Sequence, residues 1–235
     1  MESSADIFSR SVALLGEETM AQLAKTKVIV FGVGGVGSWC AEALVRTGIG
    51  HLTIVDPDEV CYSNINRQLP ATIETVGQAK VEVLRERFLT INPEAEIVAQ
   101  KEAFHKETAE QFHLEDYDYV IDAIDSLEDK AELILAASRT ENITLFSSMG
   151  AAKKLDPTMI KSAEFWKVHG CPLAKSLRNW FKKNKLFPER KFQCVFSEEK
   201  CLPGVEKGSL MHITAMFGLY LASLVINHSI NNTHS

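Results

Sequence analysis

The segment KVIVFGVGGVG, residues 27–37, is the strongest indication of the fold in this chain. Its first residues form a continuous, β-branched apolar run, which is typical of a strand buried on both faces of a sheet. Glycines then recur as Gly-x-Gly-x-x-Gly at Gly32, Gly34 and Gly37, and an apolar helical pattern follows them. The segment HLTIVD, residues 51–56, predicts a second strand. A strand, a glycine turn, a helix and a strand in this order predict a parallel βαβ unit whose turn binds a nucleotide phosphate.

Strand and helix patterns continue to alternate outside this unit. Strands are predicted at 96–100, 119–124, 143–148 and 191–199, and helices at 1–26, at 78–90, up to Arg139 and up to His228. We also expect Thr108 to cap a short helix that ends at His113. The alternation predicts one α/β domain over residues 1–235, Rossmann-like, with a mostly parallel sheet and helices on both faces. Residues 165–208 are expected to form a mobile basic excursion within a C-terminal extension of that domain.

Composition excludes several classes of protein. The 235 residues are 46% hydrophobic with a net charge of −6, so neither a disordered chain nor one that binds nucleic acid with its whole surface is expected. The five cysteines include no Cys-x-x-Cys pair, which argues against a disulfide scaffold or a four-thiolate zinc site, and Cys40 and Cys194 are expected in the core. The apolar stretch at 210–226 is short and interrupted, which favours a core helix over a membrane span. A cytoplasmic protein is therefore expected.

Charged residues beyond the glycine turn argue against a dinucleotide dehydrogenase. Asp56 ends the second strand, where a carboxylate can accept hydrogen bonds from a ribose. Arg67 and Lys80 follow, and two fixed cations suit a triphosphate that expels pyrophosphate better than they suit a dinucleotide. Asp125 follows the predicted strand at 119–124, where a carboxylate can hold magnesium against phosphate oxygens, the alternative being a helix N-cap. The pattern therefore favours an ATP site.

These motifs together resemble the signature of the ubiquitin-activating-like adenylating enzymes, the superfamily of HesA, MoeB and ThiF. They occur in that superfamily's order as GVGGVG, Asp56-Pro57-Asp58, Ser63-Asn64-Ile65-Asn66-Arg67-Gln68, Lys80 and Asp122-Ala123-Ile124-Asp125. The resemblance implies an ATP site made by Gly32, Gly34, Gly35, Gly37, Asp56, Asp58, Asn64, Arg67, Lys80 and Asp125. It assigns catalysis to Arg67, Lys80 and Asp125, and magnesium to Asp125. It also implies a homodimer in which Arg10 reaches the nucleotide of the other subunit.

Longer phrases are similar to the bacterial tRNA threonylcarbamoyladenosine dehydratases over nearly the whole chain, among them GVGSWCAEALVRTGIG, INPEAEI, YVIDAIDS, LDPTMI and CVFSEE. That resemblance implies an enzyme that uses ATP to activate the threonyl carboxylate of the modified adenosine in tRNA. A nitrogen of the same side chain then closes a ring, with loss of water and release of AMP and pyrophosphate. Intramolecular closure is entropically cheap, so no enzyme nucleophile is required.

Two alternatives stay open at this point. The chain could adenylate the C-terminus of a ubiquitin-like sulfur carrier, although relatives of that kind commonly carry two Cys-x-x-Cys pairs. It could also be a non-catalytic nucleotide-binding adaptor, for example a partner of a cysteine desulfurase. The sequence leaves undetermined the base for cyclisation, the preferred tRNAs, the role of Cys201, and the use of a monovalent cation or a sulfur-relay partner.

A basic segment lies at residues 167–191, which hold eight basic side chains against the single acid Glu189. Trp180, Phe181 and Phe187 are interleaved with the charges. A cationic strip with aromatic faces suits RNA phosphates and unstacked bases. The alternative is a solvated helix with Trp180 packed inward. The predicted tRNA contacts are Lys175, Arg178, Lys182, Lys183 and Lys185.

Overall fold

The computed structural model describes residues 7–201, 204 and 208–233. Its helices are α1 (Ser9–Leu15), α2 (Glu17–Lys25), α3 (Gly37–Thr47), α4 (Lys80–Ile91), α5 (Leu127–Arg139), α6 (Pro172–Asn184) and α7 (Met211–Thr233). Its strands are β1 (Lys27–Phe31), β2 (His51–Val55), β3 (Glu96–Gln100), β4 (Tyr119–Asp122), β5 (Thr144–Ser148), β6 (Ile160–Glu164) and β7 (Gln193–Ser197).

The strands form one twisted sheet in the order β3-β2-β1-β4-β5-β7-β6. All neighbouring pairs are parallel except β6 with β7, which is antiparallel. β1 lies inside the sheet between β2 and β4, and Val28, Ile29 and Val30 are fully buried, as the continuous apolar run predicts. The prediction of a Rossmann-like, mostly parallel sheet is confirmed.

Helices cover the sheet on both faces. One apolar core joins β1 and β2 to α3, α4 and α7, and the other joins the opposite face to α5 and α6. α7 packs closely on α3, because Gly218 lets the two backbones approach: a Cβ added there would lie 2.3 Å from the Val36 oxygen. α7 is long and apolar enough to cross a membrane, but half of that stretch is buried inside the fold. This burial agrees with a core helix, and α7 is no evidence for a membrane span.

Two local expectations differ from the structure. The helix expected over residues 1–26 is broken into α1 and α2 at Gly16, whose φ of 82° favours glycine, and residues 1–6 lie outside the described part. Thr108 was expected as an N-cap, and this is wrong. The segment Lys106–Phe112 is a 3₁₀ helix with His105 at the N-cap, and the Thr108 hydroxyl accepts a hydrogen bond from the His105 N–H at 3.0 Å.

The segment 165–208 lies within the body of the domain where it is described. β7 is an interior strand between β5 and β6, and α6 packs on α5 through the fully buried Phe181. Residues 202–203 and 205–207 lie outside the described part of the chain. The segment is therefore more than an excursion, and its expected mobility stays a prediction.

Candidate active site

A cavity of about 580 Å³ opens at the carboxyl edge of the sheet. It lies where the chain order reverses between β1 and β4, whose following helices, α3 and α5, cover opposite faces. Open α/β sheets bind their ligands at such a switch point. The predicted site residues that line the cavity are Gly32, Gly34, Gly35, Asp56, Asp58, Arg67, Lys80 and Asp125.

The glycine turn forms the floor of the cavity, and two of its glycines have no room for a side chain. Gly32 has a φ of +83°, and a Cβ added to it would lie 2.8 Å from the Ala123 oxygen. A Cβ on Gly37 would lie 1.8 Å from the Gly32 oxygen, so this glycine closes the turn, although it does not line the cavity. The residue before α3, Val36, has no side-chain oxygen to cap the helix. The first N–H groups of α3 and its positive dipole end therefore suit an anion.

Asp56 joins the glycine turn to the end of β2. Its carboxylate accepts hydrogen bonds from the Val33 N–H at 2.8 Å and from the Asp58 N–H at 2.9 Å. Burial raises the pKa of Asp56, and the positive charge of Lys80, 3.5 Å away, opposes that rise. Lys80 itself is buried at the start of α4 and contacts the Asp58 carboxylate at 2.7 Å. The lysine is thus fixed between two carboxylates at the cavity wall.

Arg67 is held by the loop that follows β2. Its guanidinium donates to the Ser63 carbonyl at 2.8 Å and to the Asn66 side-chain oxygen at 2.9 Å, while its own carbonyl accepts from the Trp39 indole at 3.1 Å. These contacts orient the loop against α3 without neutralising the arginine by a carboxylate. A guanidinium fixed in this way can bind phosphate oxygens with little further loss of entropy.

A buried ion pair lies beneath the cavity and was not predicted from the sequence. The Asp122 carboxylate contacts the Lys130 ammonium at 2.7 Å and accepts from the Ser147 hydroxyl at 2.6 Å, with both charged side chains fully buried. Lys130 also donates to the Ile124 carbonyl at 2.9 Å, and the Ile124 N–H donates to Asp122. The pair fixes the turn between β4 and α5, which forms one wall of the cavity. A signal for Lys130 existed, because it falls on the otherwise apolar face of α5.

Asp125 lines the cavity from that same turn. The N-cap of α5 is Ser126, so the N-cap alternative for Asp125 is not what the structure has. Among the described residues no group of three or more His, Cys, Asp or Glu side chains could hold a metal ion. Magnesium in nucleotide sites is commonly bound by one or two carboxylates together with phosphate oxygens, and Asp125 fits that arrangement.

Besides Gly37, two predicted ATP-binding residues lie outside the cavity wall. The Asn64 side chain accepts from the Cys61 N–H at 3.1 Å and so shapes the loop that carries Arg67. Arg10 is exposed on α1. Sequence reasoning missed other wall residues, contributed by distant elements: Phe104 after β3, Leu173 in α6 and Thr214 in α7.

Lys154 is a further residue that the sequence did not single out. It is buried, and its ammonium donates to the carbonyls of Ser197 at 3.3 Å and Glu199 at 2.6 Å. The Glu199 carboxylate in turn accepts from the Leu155 N–H at 2.9 Å. These bonds connect the end of β7 to the segment after β5, which borders the cavity.

The predicted basic strip is distributed over α6 and the residue after it. Lys175, Lys182, Lys183 and Lys185 are exposed. Arg178 is half-buried and donates to the carbonyls of Phe165 at 3.2 Å and Val168 at 3.0 Å, so in this structure it braces a turn. The RNA contacts assigned to all five residues stay predictions. Cys40 and Cys194 are fully buried as expected, and burial raises the pKa of both thiols.

The sequence matches the model of the ThiF family over residues 8–234. The chain belongs to the ThiF family. A curated ThiF-like relative from Bacillus subtilis, tRNA threonylcarbamoyladenosine dehydratase, is 44% identical over 192 residues, which are 82% of this chain and 74% of the relative. The dehydratase of Haemophilus influenzae is 38% identical over 232 residues, covering 89% and 88% of the two chains.

Solved ThiF-family structures agree with these relatives. The Escherichia coli tRNA N6-threonylcarbamoyladenosine dehydratase in complex with AMP superposes with a TM-score of 0.92 at 36% identity, covering 98% of this chain and 96% of the other. The same enzyme in complex with ATP gives a TM-score of 0.87 at 38% identity over 97% and 94%. This ThiF-family chain is thus similar to the dehydratases over almost its full length.

Proposed function

We propose that this protein is an ATP-dependent tRNA threonylcarbamoyladenosine dehydratase. The observation that carries the proposal is the similarity to that enzyme over 98% of this chain, at 36% identity, around a glycine-turn cavity with two cations in its wall. The cavity volume lies within the range of small-molecule and cofactor sites, roughly 300–1,000 Å³. The glycine floor, Arg67 and Lys80 fit a nucleoside triphosphate.

The reaction consists of two balanced steps. A carboxylate oxygen of the threonyl group attacks the α-phosphorus of ATP, the bond to the bridging oxygen breaks, and pyrophosphate leaves with the electron pair. A nitrogen of the same side chain then attacks the acyl carbon, and AMP leaves with the former carboxylate oxygen while the nitrogen loses its proton to solvent. The elements of water are thereby removed from the nucleoside. Because the second step is intramolecular, positioning supplies much of its acceleration.

The residues of the cavity stabilise the charge that builds up on pyrophosphate. The N–H groups of the glycine turn and the start of α3 bind phosphate oxygens. Arg67 and Lys80 are fixed beforehand by their neighbours, so their charges need little reorganisation when the leaving group departs. Asp56 holds the turn in place, and its position at the end of β2 suits a carboxylate that accepts hydrogen bonds from ribose hydroxyls. Magnesium bound by Asp125 would neutralise phosphate charge, and the use of a monovalent cation stays open.

A homodimer is part of this proposal. Exposed apolar side chains form a patch of Ile65, Leu155, Met159, Leu210 and Met211. Its three segments are connected by hydrogen bonds, one from the Asn66 amide to the Ser209 carbonyl at 3.0 Å and one between His212 and the Leu155 carbonyl at 3.1 Å. Contiguous exposed apolar surface is typical of a protein interface. The predicted role of Arg10 likewise requires a second copy of the chain.

The tRNA partner explains why an acidic chain displays the lysines of α6. Phosphate groups would be repelled by the remainder of the surface and attracted to Lys175, Lys182, Lys183 and Lys185. A cytoplasmic enzyme fits this substrate. The alternative, adenylation of a sulfur-carrier protein, has less support, because two curated relatives named adenylyltransferase and sulfurtransferase match only 51% of this chain. A cysteine desulfurase or sulfur-acceptor partner stays a separate proposal.

The test is mass spectrometry of nucleosides from tRNA incubated with the enzyme, ATP and magnesium. We expect threonylcarbamoyladenosine to lose the mass of one water, with stoichiometric formation of AMP. If the protein binds ATP but the nucleoside keeps its full mass, the assignment of threonylcarbamoyladenosine as the substrate is rejected. Pyrophosphate exchange that depends on a carrier protein ending in Gly-Gly would instead support the alternative.

A further inference from the structure

Trp166 and Phe187 form an exposed aromatic pair outside the cavity. Their side chains are 41% and 48% exposed, their ring centroids lie 6.3 Å apart, and their planes are inclined by 40°. Neither residue belongs to the apolar patch assigned above to the second copy. We propose that this pair is a platform on which an unstacked base of the tRNA stacks, an inference that rests on the proposed function.

The platform is supported from below. Trp166 contacts the buried Phe165 edge to face at 5.0 Å, and Phe165 stacks on Phe192 at 5.1 Å and contacts Phe181 at 5.9 Å. Arg178 donates hydrogen bonds to the carbonyls of Phe165 and Val168, which lie before and after Trp166 in the chain. The pair therefore stands on a packed aromatic cluster, so a base that stacks there meets a surface that is already ordered.

The charges around the pair favour RNA. Lys167 follows Trp166 directly, and Lys185 lies two residues before Phe187. Lys185 ends α6 with a φ of 55°, at a position where glycine is usual. The single acid of residues 167–191, Glu189, contacts Arg139 at 3.2 Å. An aromatic surface flanked by cations on a chain of net charge −6 is complementary to nucleotides.

The position of the aromatic pair fits an RNA strand that extends from the cavity. α6 begins beside the cavity, where Leu173 is part of the wall, and ends at Asn184, just before the pair. At about 1.5 Å per residue this distance is roughly 17 Å. Lys175 and Lys182 are seven residues apart and share one exposed face of α6. RNA whose modified adenosine enters the cavity can follow these lysines to the aromatic pair.

The experiment compares the wild-type protein with a Trp166→Ala/Phe187→Ala double variant. The affinity for a threonylcarbamoyladenosine-bearing anticodon stem-loop is measured by fluorescence anisotropy at several salt concentrations. Loss of one stacked base, worth about 1–3 kcal/mol, corresponds to roughly 5- to 140-fold weaker binding. The loss should be equal at low and high salt. ATP affinity should stay unchanged, because neither residue lines the cavity.

Matched variants separate stacking from charge and from loss of folding. Trp166→Phe should keep most of the affinity, and Val98→Ala, an exposed apolar change on β3 at the opposite edge of the sheet, should keep all of it. Lys182→Glu/Lys183→Glu should weaken binding more at low salt than at high salt. This contrast identifies the aromatic pair as the part of the interface that does not depend on salt.

The outcomes distinguish this inference from the proposed function. If the wild-type protein converts the modified tRNA and the double alanine variant binds the stem-loop as tightly as wild type, the platform is overturned. If the wild-type protein leaves that nucleoside intact although it binds ATP, the proposed function itself fails. Unchanged RNA affinity with lost binding to phosphatidylglycerol vesicles would assign the pair to a membrane surface instead.

Discussion

Two lysine–aspartate pairs lie on either side of β1, and only one of them reaches the cavity. Asp122, at the end of β4, contacts Lys130 at 2.7 Å, and both side chains are fully buried. Asp56, after β2, lies 3.5 Å from Lys80, which also contacts Asp58 at 2.7 Å. The Asp56 and Lys80 side chains are only 7% and 5% exposed, but both line the cavity, and the Asp58 side chain beside them is 64% exposed.

The surroundings of a lysine–aspartate pair, more than its chemistry, decide its role. Lys130 is paired with Asp122 and donates a hydrogen bond to the Ile124 carbonyl, so its charge is neutralised inside the fold. Lys80 is held between two carboxylates, but it is part of the cavity wall, where an anionic ligand can contact it. We therefore assign Lys130 to stability and Lys80 to ligand charge, and the following changes test that division.

The largest effect is expected from Lys130→Met. The change leaves the Asp122 carboxylate buried without its cation, and breaking a buried pair costs about 3–5 kcal/mol. Urea unfolding followed by circular dichroism measures the loss. Asp122→Asn combined with Lys130→Met removes both charges and should be less destabilised than Lys130→Met alone. A loss below about 1 kcal/mol in the single variant, the range of exposed pairs, would contradict the assignment.

Lys80→Met and Arg67→Ala should act on the chemistry instead. Removing one fixed group that stabilises developing charge typically costs a factor of about 10²–10³ in rate, so AMP formation should fall by that much in each variant. The free energy of unfolding should fall less in Lys80→Met than in Lys130→Met, because Asp56 and Asp58 border the cavity, where water can solvate the carboxylates that lose their cation. Single-turnover AMP formation on a thin-layer assay gives the rate. Wild-type rates in both variants would remove these residues from the mechanism.

The pH dependence of ATP binding should reveal Asp56. Burial raises its pKa, so on acidification this carboxyl binds its proton at a higher pH than an ordinary aspartic acid. The neutral form is a weaker acceptor for the Val33 and Asp58 N–H groups, so ATP affinity should decline as the pH falls through this range. Lys80→Met removes a positive charge that lowers the pKa and should move the midpoint to higher pH. Calorimetric titrations from pH 4 to pH 8 measure it, and a midpoint that stays in place would exclude the coupling.

The smallest effect is expected from a third pair at the surface. Lys101 contacts Glu59 at 2.7 Å, as short as the buried pair, but both side chains are about half exposed. Lys101→Ala should change the free energy of unfolding by less than about 1 kcal/mol and leave AMP formation unaltered. A larger loss in urea unfolding would show that distance, rather than burial, determines what such a pair contributes.

Much of the nucleotide-binding end could be predicted from the sequence. The glycine turn, the buried run of β1 and the acid after β2 are determined by neighbours within a few positions, because backbone conformation and periodicity are local properties. Lys80 and Arg67 were placed near the turn by their motif. Lys130 was missed, since lysine is rarely buried and a single sequence does not show its partner.

The later part of the chain was harder to predict because its structure depends on contacts between segments that are distant in sequence. The strand predicted at 191–199 is confirmed by β7, but the basic composition of residues 165–208 suggested an excursion, whereas β7 lies inside the sheet and α6 packs on α5. Arg178 was expected to contact RNA, and in the structure it bonds carbonyls of its own chain. Trp166 and Phe187 meet through contacts between segments that are distant in sequence. Composition alone does not reveal such contacts.

The α/β architecture, the phosphate-binding turn and the order of the charged motifs follow from local sequence. The packing of the whole chain settles which lysine is buried, which borders the cavity and which aromatic rings stay on the surface. Turn and strand formation depend on neighbouring residues. The energy of a charge or a ring depends instead on how much water the rest of the fold removes from it.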